Sequence, residues 1–191
     1  MPKPTWAIFL QMERDRVFLV GFMGSGKSTV GPLLAKRLGW PFLDLDSMIE
    51  DSFGGPIHRI FAQHGEPVFR RMESDALRNL GRWKNCVAAL GGGAFVDPGN
   101  RLQISKLGLS VFLDLALESV LERCPPDGTR PLLKDPASLQ ELYSSRLPLY
   151  RLSDFEVDAS LPPDTIVSAI LEKTRLQPSP RPTATPPDHG R

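Results

Sequence analysis

Gly21-Phe22-Met23-Gly24-Ser25-Gly26-Lys27-Ser28 is the stretch that decides the fold. It satisfies G-x-x-x-x-G-K-[ST], in which glycines let the backbone curl until several N–H groups face one anion. Lys27 can then reach the β- and γ-phosphates of a nucleoside triphosphate, and the Ser28 hydroxyl can hold Mg²⁺. The pattern has this meaning only between a strand and a helix, and both are legible. Arg16 to Val20 (RVFLV) is a short apolar run that reads as a buried strand. Lys27 to about Leu38 has helical spacing and ends at Gly39. The N-terminus of that helix adds partial positive charge. Gly24, Ser25, Gly26, Lys27, Ser28 and Thr29 are therefore the expected nucleotide-binding set.

Outward from this loop, short apolar segments alternate with helical ones. Pro41 to Leu45, Cys86 to Leu90, Ser110 to Asp114 and Phe155 to Asp158 read as further strands. Helix-rich segments span about 47–80, with breaks near Gly54-Gly55-Pro56 and at Gly65, and about 115–123, 138–152 and 164–176. Such alternation indicates an α/β chain with a parallel sheet covered on both faces. Open sheets of this kind bind ligands beyond the C-terminal ends of their strands. Residues 1–15 read as a loose extension, 16–176 as one domain, and 177–191 as a disordered proline-rich tail. The segment from Cys124 to Pro136 carries Pro, Gly and charges and reads as a mobile loop.

Charge argues against several function classes. The 191 residues hold 23 Lys and Arg against 22 Asp and Glu, a net charge of +1. That balance points to neither nucleic acid nor an anionic membrane as the partner. The apolar stretch Trp6 to Leu10 is too short for a signal segment or a membrane span. Two cysteines, Cys86 and Cys124, lack metal-type spacing, and a disulfide framework is not expected. The expectation is a soluble, cytoplasmic monomer acting on a small molecule.

Carboxylates and arginines suggest where that molecule binds. Asp44 and Asp46 flank Leu45 at the end of the second strand. Residues two apart on a strand point to one side, and paired carboxylates are costly unless a cation or hydroxyls fill the gap. The third strand ends AALGGG without an acid, so Asp44 is the substitute for the Mg²⁺ aspartate that P-loop enzymes often place on another strand. A solvated turn or a helix cap is the competing reading, since Asp46 precedes a helix. Arg70 and Glu73 share a helix face, as a surface ion pair would. Gly91-Gly92-Gly93 permits close backbone approach to a ligand, or is a plain turn. Arg123, Arg130 and Arg146 flank or follow the mobile loop, where a planar guanidinium suits phosphate or carboxylate. His58 and His64 read as partly exposed helix residues.

Taken in order, VGFMGSGKSTVG, FLDLD, IFAQHGEPVFRRME, LGGGAF, RPLL and SSRLPLYR resemble the shikimate kinase family over about 16–172. The glycine loop is common to many kinases; the GE-x-x-FR-x-x-E, GGG, RPLL and R-x-P-x-Y set is more specific. The resemblance implies a three-layer P-loop fold of the nucleoside-monophosphate-kinase type, with a five-stranded parallel sheet and a lid at about 124–136. It implies transfer of the ATP γ-phosphoryl group to the 3-hydroxyl of shikimate, with Mg²⁺, in chorismate and aromatic amino-acid biosynthesis. It also implies roles for individual residues. Lys27, Asp46 and Arg130 are catalytic, and Ser28 and Asp44 serve the metal. Arg123 and Arg130 join the nucleotide set, with Arg123 over the adenine. Asp46, Arg70, Gly92 and Arg146 bind shikimate, Glu73 orients Arg70, and Phe61 and Phe69 wall the pocket. Another kinase of the same fold, such as a gluconate or nucleoside monophosphate kinase, is the nearest alternative. A non-catalytic nucleotide-binding protein is a more distant one.

Overall fold

The computed structural model describes residues 15–123 and 136–177. The expected extension at 1–15 apart from Asp15, the expected lid at about 124–136 with Arg130 and Cys124 apart from Pro136, and the expected tail at 177–191 apart from Gln177 lie outside the described residues. Five strands build one sheet: β1 (Arg16–Val20), β2 (Phe42–Asp44), β3 (Cys86–Ala89), β4 (Leu109–Asp114) and β5 (Phe155–Asp158). Their order is β2-β3-β1-β4-β5, and every pairing is parallel. Burial follows from that order. The central strands β1 and β3 are buried at every residue, while the edge strands β2 and β5 are only half covered. Unbroken apolar runs such as Val17 to Val20 are what a strand packed on both faces requires.

The helices are α1 (Lys27–Leu38), α2 (Leu45–Phe53), α3 (Ile57–Leu80), α4 (Pro98–Leu107), α5 (Leu117–Arg123), α6 (Pro136–Tyr150) and α7 (Pro163–Thr174). A 3₁₀ turn, Ala94–Val96, precedes α4. Helices α1 and α7 pack together against the sheet, while α3, α4 and α6 gather around the 3₁₀ turn. The result is the three-layer α/β arrangement. The helix α4 carries no signal that the sequence reading used. Its apolar spacing is weak, and it begins on an Asp97 cap followed by Pro98.

Two breaks expected from the sequence are present. Gly54 ends α2 in the left-handed conformation. Gly65 (φ 75°, ψ 173°) interrupts α3, and Pro67 opens the segment beyond it, where its missing N–H costs nothing. That kink sets the direction of the segment carrying Phe69, Arg70 and Glu73.

At the N-terminal end of the central strand β1, away from the glycine loop, Arg16 is almost wholly buried. Its guanidinium donates to the carbonyls of Trp83, Leu107 and Gly81 and pairs with Asp15. One side chain thus satisfies chain ends following α3 and at the end of α4, whose last carbonyls have no partner within their helix.

Candidate active site

The glycine loop leaves β1 and enters α1 at the centre of the sheet. Neighbouring strands β3 and β4 depart on opposite sides of β1, which makes this the switch point where α/β sheets bind ligands. Gly21, Gly24 and Gly26 hold φ values of 152°, 74° and 90°. Side chains with a Cβ rarely adopt these angles, so the glycines are needed to curl the loop. Helix α1 has no side-chain cap and no acid in its first turn. Its N-terminal field is therefore not neutralised by a capping carboxylate. Lys27 Nζ donates to the carbonyls of Gly21 (2.7 Å) and Phe22 (2.9 Å), which anchor the ammonium at the loop.

One cleft of about 600 Å³ runs from this loop to the acceptor residues expected from the sequence. Gly24, Gly26, Lys27, Ser28 and Thr29 line one end. Asp46, Phe61, Phe69, Arg70, Glu73, Gly91, Gly92, Gly93 and Arg146 line the other. Met23, Glu50, Ile57 and His58 also line it; no motif singled them out. His58 is exposed on the cleft wall, whereas His64 packs edge-on against Phe53.

The two aspartates part company. The expectation that both project from one strand is corrected, because β2 ends at Asp44 and Asp46 lies in the first turn of α2. Asp44, not Asp46, caps the helix: its Oδ1 accepts from the N–H groups of Asp46 (3.0 Å) and Ser47 (3.3 Å). Asp46 instead turns into the cleft wall. Its Oδ1 is buried and has no hydrogen-bond partner among the described residues, an arrangement that is costly unless a ligand donates to it. Burial, and then the charge of Asp44, raise its pKa, against the pull of Lys27 and Arg70.

The arginines converge from two helices. Arg70 pairs with Glu73 through Nη1 (2.5 Å) and with Glu66 through Nη2 (2.7 Å). The surface-pair reading fits the Glu66 side, which is half exposed, but not Glu73, which is 1% exposed. Burial raises the Glu73 carboxyl's pKa, and Arg70 is the main opposing influence. Arg146, on α6, is 8% exposed. Phe61 and Phe69 stack with ring centres 4.8 Å apart, and the Arg70 guanidinium sits over Phe69 at 5.3 Å.

The triple glycine meets all of these groups. A Cβ on Gly91 would overlap Oδ1 of Asp46, and one on Gly93 would overlap Nη1 of Arg70. None of the three has a positive φ. For Gly91 and Gly93 it is space, not backbone angle, that asks for glycine, which is the close approach expected of the turn. Arg123 Nη1 reaches the carbonyls of Gly24 (3.3 Å) and Ala159 (3.4 Å), tying the glycine loop to the turn after β5.

For magnesium, the test is the chemistry of the donor set. Ser28 and Asp44 offer oxygen only, and both capping bonds of Asp44 fall on Oδ1. No group of three or more His, Cys, Asp or Glu among the described residues is set to hold a metal by itself. That donor set fits Mg²⁺, which keeps waters and substrate phosphates as ligands.

A triphosphate cradle opposed across one cleft by a buried arginine, a half-buried one and a carboxylate defines a small-molecule kinase of the P-loop class. The comparisons narrow this. The shikimate kinase family model matches residues 23–175, and the chain belongs to that family. Shikimate kinase from Geobacter sulfurreducens is 43% identical over 159 residues, covering 82% of this chain and 88% of that protein. Among solved structures, shikimate kinase from Acinetobacter baumannii in complex with shikimate superposes with a TM-score of 0.80 at 36% identity, covering 84% and 93% of the two chains. The enzyme from Aquifex aeolicus gives 0.78 at 37% identity, covering 84% and 96%.

Proposed function

We infer that this chain transfers the γ-phosphoryl group of ATP to the 3-hydroxyl of shikimate, giving ADP and shikimate 3-phosphate. The observation that carries the reading is the shared cleft, which joins Lys27 and Ser28 to Asp46, Arg70 and Arg146. Shikimate is a carboxylate bearing three hydroxyls. Arg70 and Arg146 supply forked donors for the acid, and the unpartnered Oδ1 of Asp46 is an acceptor for a hydroxyl. Glu73 sets the angle of Arg70, Gly92 offers a backbone contact, and Phe61 and Phe69 form the apolar wall.

Phosphoryl transfer asks the protein for positioning and positive charge more than for covalent help. The N–H groups of Gly24, Ser25, Gly26 and the start of α1, with Thr29, hold the triphosphate. Lys27 exchanges its loop carbonyls for the β- and γ-phosphates and stabilises charge on the moving group. Asp46 aligns the attacking hydroxyl and takes its proton. Ser28 and Asp44 would hold Mg²⁺, which neutralises charge on the triphosphate when bound. Arg123 lies beside the adenine, and Arg130 adds charge from the lid. Closure of the lid would exclude water and so limit wasteful hydrolysis. The reading places the protein in the cytoplasm as a monomeric enzyme of chorismate biosynthesis.

A coupled assay with ATP, Mg²⁺ and shikimate tests this, with gluconate and nucleoside monophosphates as competing acceptors. Turnover is expected with shikimate alone. Turnover with gluconate and none with shikimate would overturn the substrate; ATP binding with no acceptor phosphorylated would overturn the enzyme.

A further inference from the structure

The glycine turn is held from outside itself by a side chain of α6. In Gly91-Gly92-Gly93 the outer carbonyls accept from the turn's own backbone, Gly91 O from Ala94 N–H and Gly93 O from Val96 N–H. The Gly92 carbonyl is different. It accepts from the phenol of Tyr150, the last residue of α6, which reaches across from another part of the fold. The same spot is shared by Arg146. A Cβ placed on Gly92 would lie 3.2 Å from Arg146 Nη1 and 3.5 Å from Tyr150 Oη. Arg146 and Tyr150 are four residues apart on one helix, so they share a face.

Hydrogen-bond inventory then fixes the direction. A carbonyl only accepts, so Tyr150 must donate its single proton to Gly92. The phenol oxygen keeps its lone pairs, and the neighbouring guanidinium, which only donates, is the group that can use them. Burial raises the phenol's pKa, which keeps that proton in place. Packing alone does not ask for a tyrosine here. The ring is almost wholly buried and packs on Phe112 with centres 5.5 Å apart, a task phenylalanine would perform as well.

We propose that Tyr150 is a positioning residue for the acceptor end of the cleft. Its phenol couples the Gly92 carbonyl to the Arg146 guanidinium, so the glycine turn and the arginine meet the acceptor carboxylate as one preset unit. The identity of that acceptor rests on the function inferred above; the coupling itself rests on the geometry alone.

Tyr150→Phe removes one oxygen and keeps the ring. Residue-resolved amide exchange without substrate reads the coupling through the turn's bonded amides, and about tenfold faster exchange is expected at Ala94 and Val96, whose N–H groups bond to Gly91 and Gly93. In turnover assays the shikimate KM should rise by about tenfold while the ATP KM stays within about twofold. In an Arg146→Ala background the same substitution should change the shikimate KM by less than about twofold, because the group it positions is gone. Unchanged exchange at Ala94 and Val96 would overturn the proposal whatever the substrate proves to be. So would an equal KM effect with and without Arg146, which a merely structural residue would give. Faster exchange in a protein that does not phosphorylate shikimate would support the coupling and overturn the substrate reading instead.

Discussion

Arg70 is gripped from inside the protein: its Nη1 lies 2.5 Å from Oε2 of Glu73, a carboxylate only 1% exposed. A long side chain at a cleft wall would otherwise sample many rotamers. Here a buried partner holds it, so that on the proposed reading a carboxylic substrate would meet a guanidinium already aimed. Much of the ordering cost is met on folding, which is how a fixed site gains affinity.

Arg70→Ala should raise the shikimate KM by about 10- to 100-fold, the range for a charge-assisted hydrogen bond, while moving the ATP KM far less. Glu73→Gln should give a smaller rise of the same kind, since it loosens Arg70 without removing it. Steady-state kinetics with each substrate varied separately checks both. Equal effects on the two KM values would count against an acceptor role.

Gly93→Ala isolates the role of space. Gly93 has φ −98°, which alanine adopts freely, so no backbone strain is introduced. The new methyl collides with the Arg70 guanidinium and must displace it. Loss of acceptor affinity comparable to Arg70→Ala is expected, with the ATP KM preserved. A fully active Gly93→Ala enzyme would show that Arg70 is not held where the site needs it.

Lys27→Met keeps the apolar stem and deletes the charge. Turnover should fall by about 10³-fold or more, as when a group acting on transition-state charge is removed. The melting temperature should change little, because the two carbonyl bonds lost are at the partly buried mouth of the loop. Near-normal kcat would refute the assigned role.

Asp46→Asn should separate stability from activity. The folded-state pKa of Asp46 is raised, so ionising it costs more in the fold than in the unfolded chain. Stability from this group therefore falls as pH climbs from its ordinary value of 3.8 through the raised one, and the penalty is complete above that. The neutral amide avoids it. At pH 7.5, with metal chelated, the variant should melt higher than the parent and be nearly inactive. The difference should shrink as pH drops toward and below 3.8. A lower melting temperature at pH 7.5 would argue that the carboxylate is stabilised by contacts after all.

Much of this protein was legible in one dimension. The glycine loop, its flanking strand and its helix have local causes: backbone angles only glycine tolerates, an apolar run, and a helical period ended by Gly39. Strands β1 and β5 and helix α1 accordingly have the expected limits. The residues expected at the acceptor end do line the cleft, because several of their motifs follow strand ends, where the sheet opens. What sequence could not decide was which neighbour each side chain faces. Spacing set Asp44 and Asp46 side by side, yet the chain turns from strand to helix between them, and one becomes a cap while the other is driven into the cleft wall. Spacing allowed Arg70 and Glu73 to be a surface pair, yet packing buries Glu73. Tyr150 stood in a quoted motif without a task until α6 brought it to Gly92, 58 residues earlier in the chain. Local propensity acts over a few residues and can be read along the chain. Burial and side-chain partnership depend on distant segments meeting, and the packed structure alone determines them.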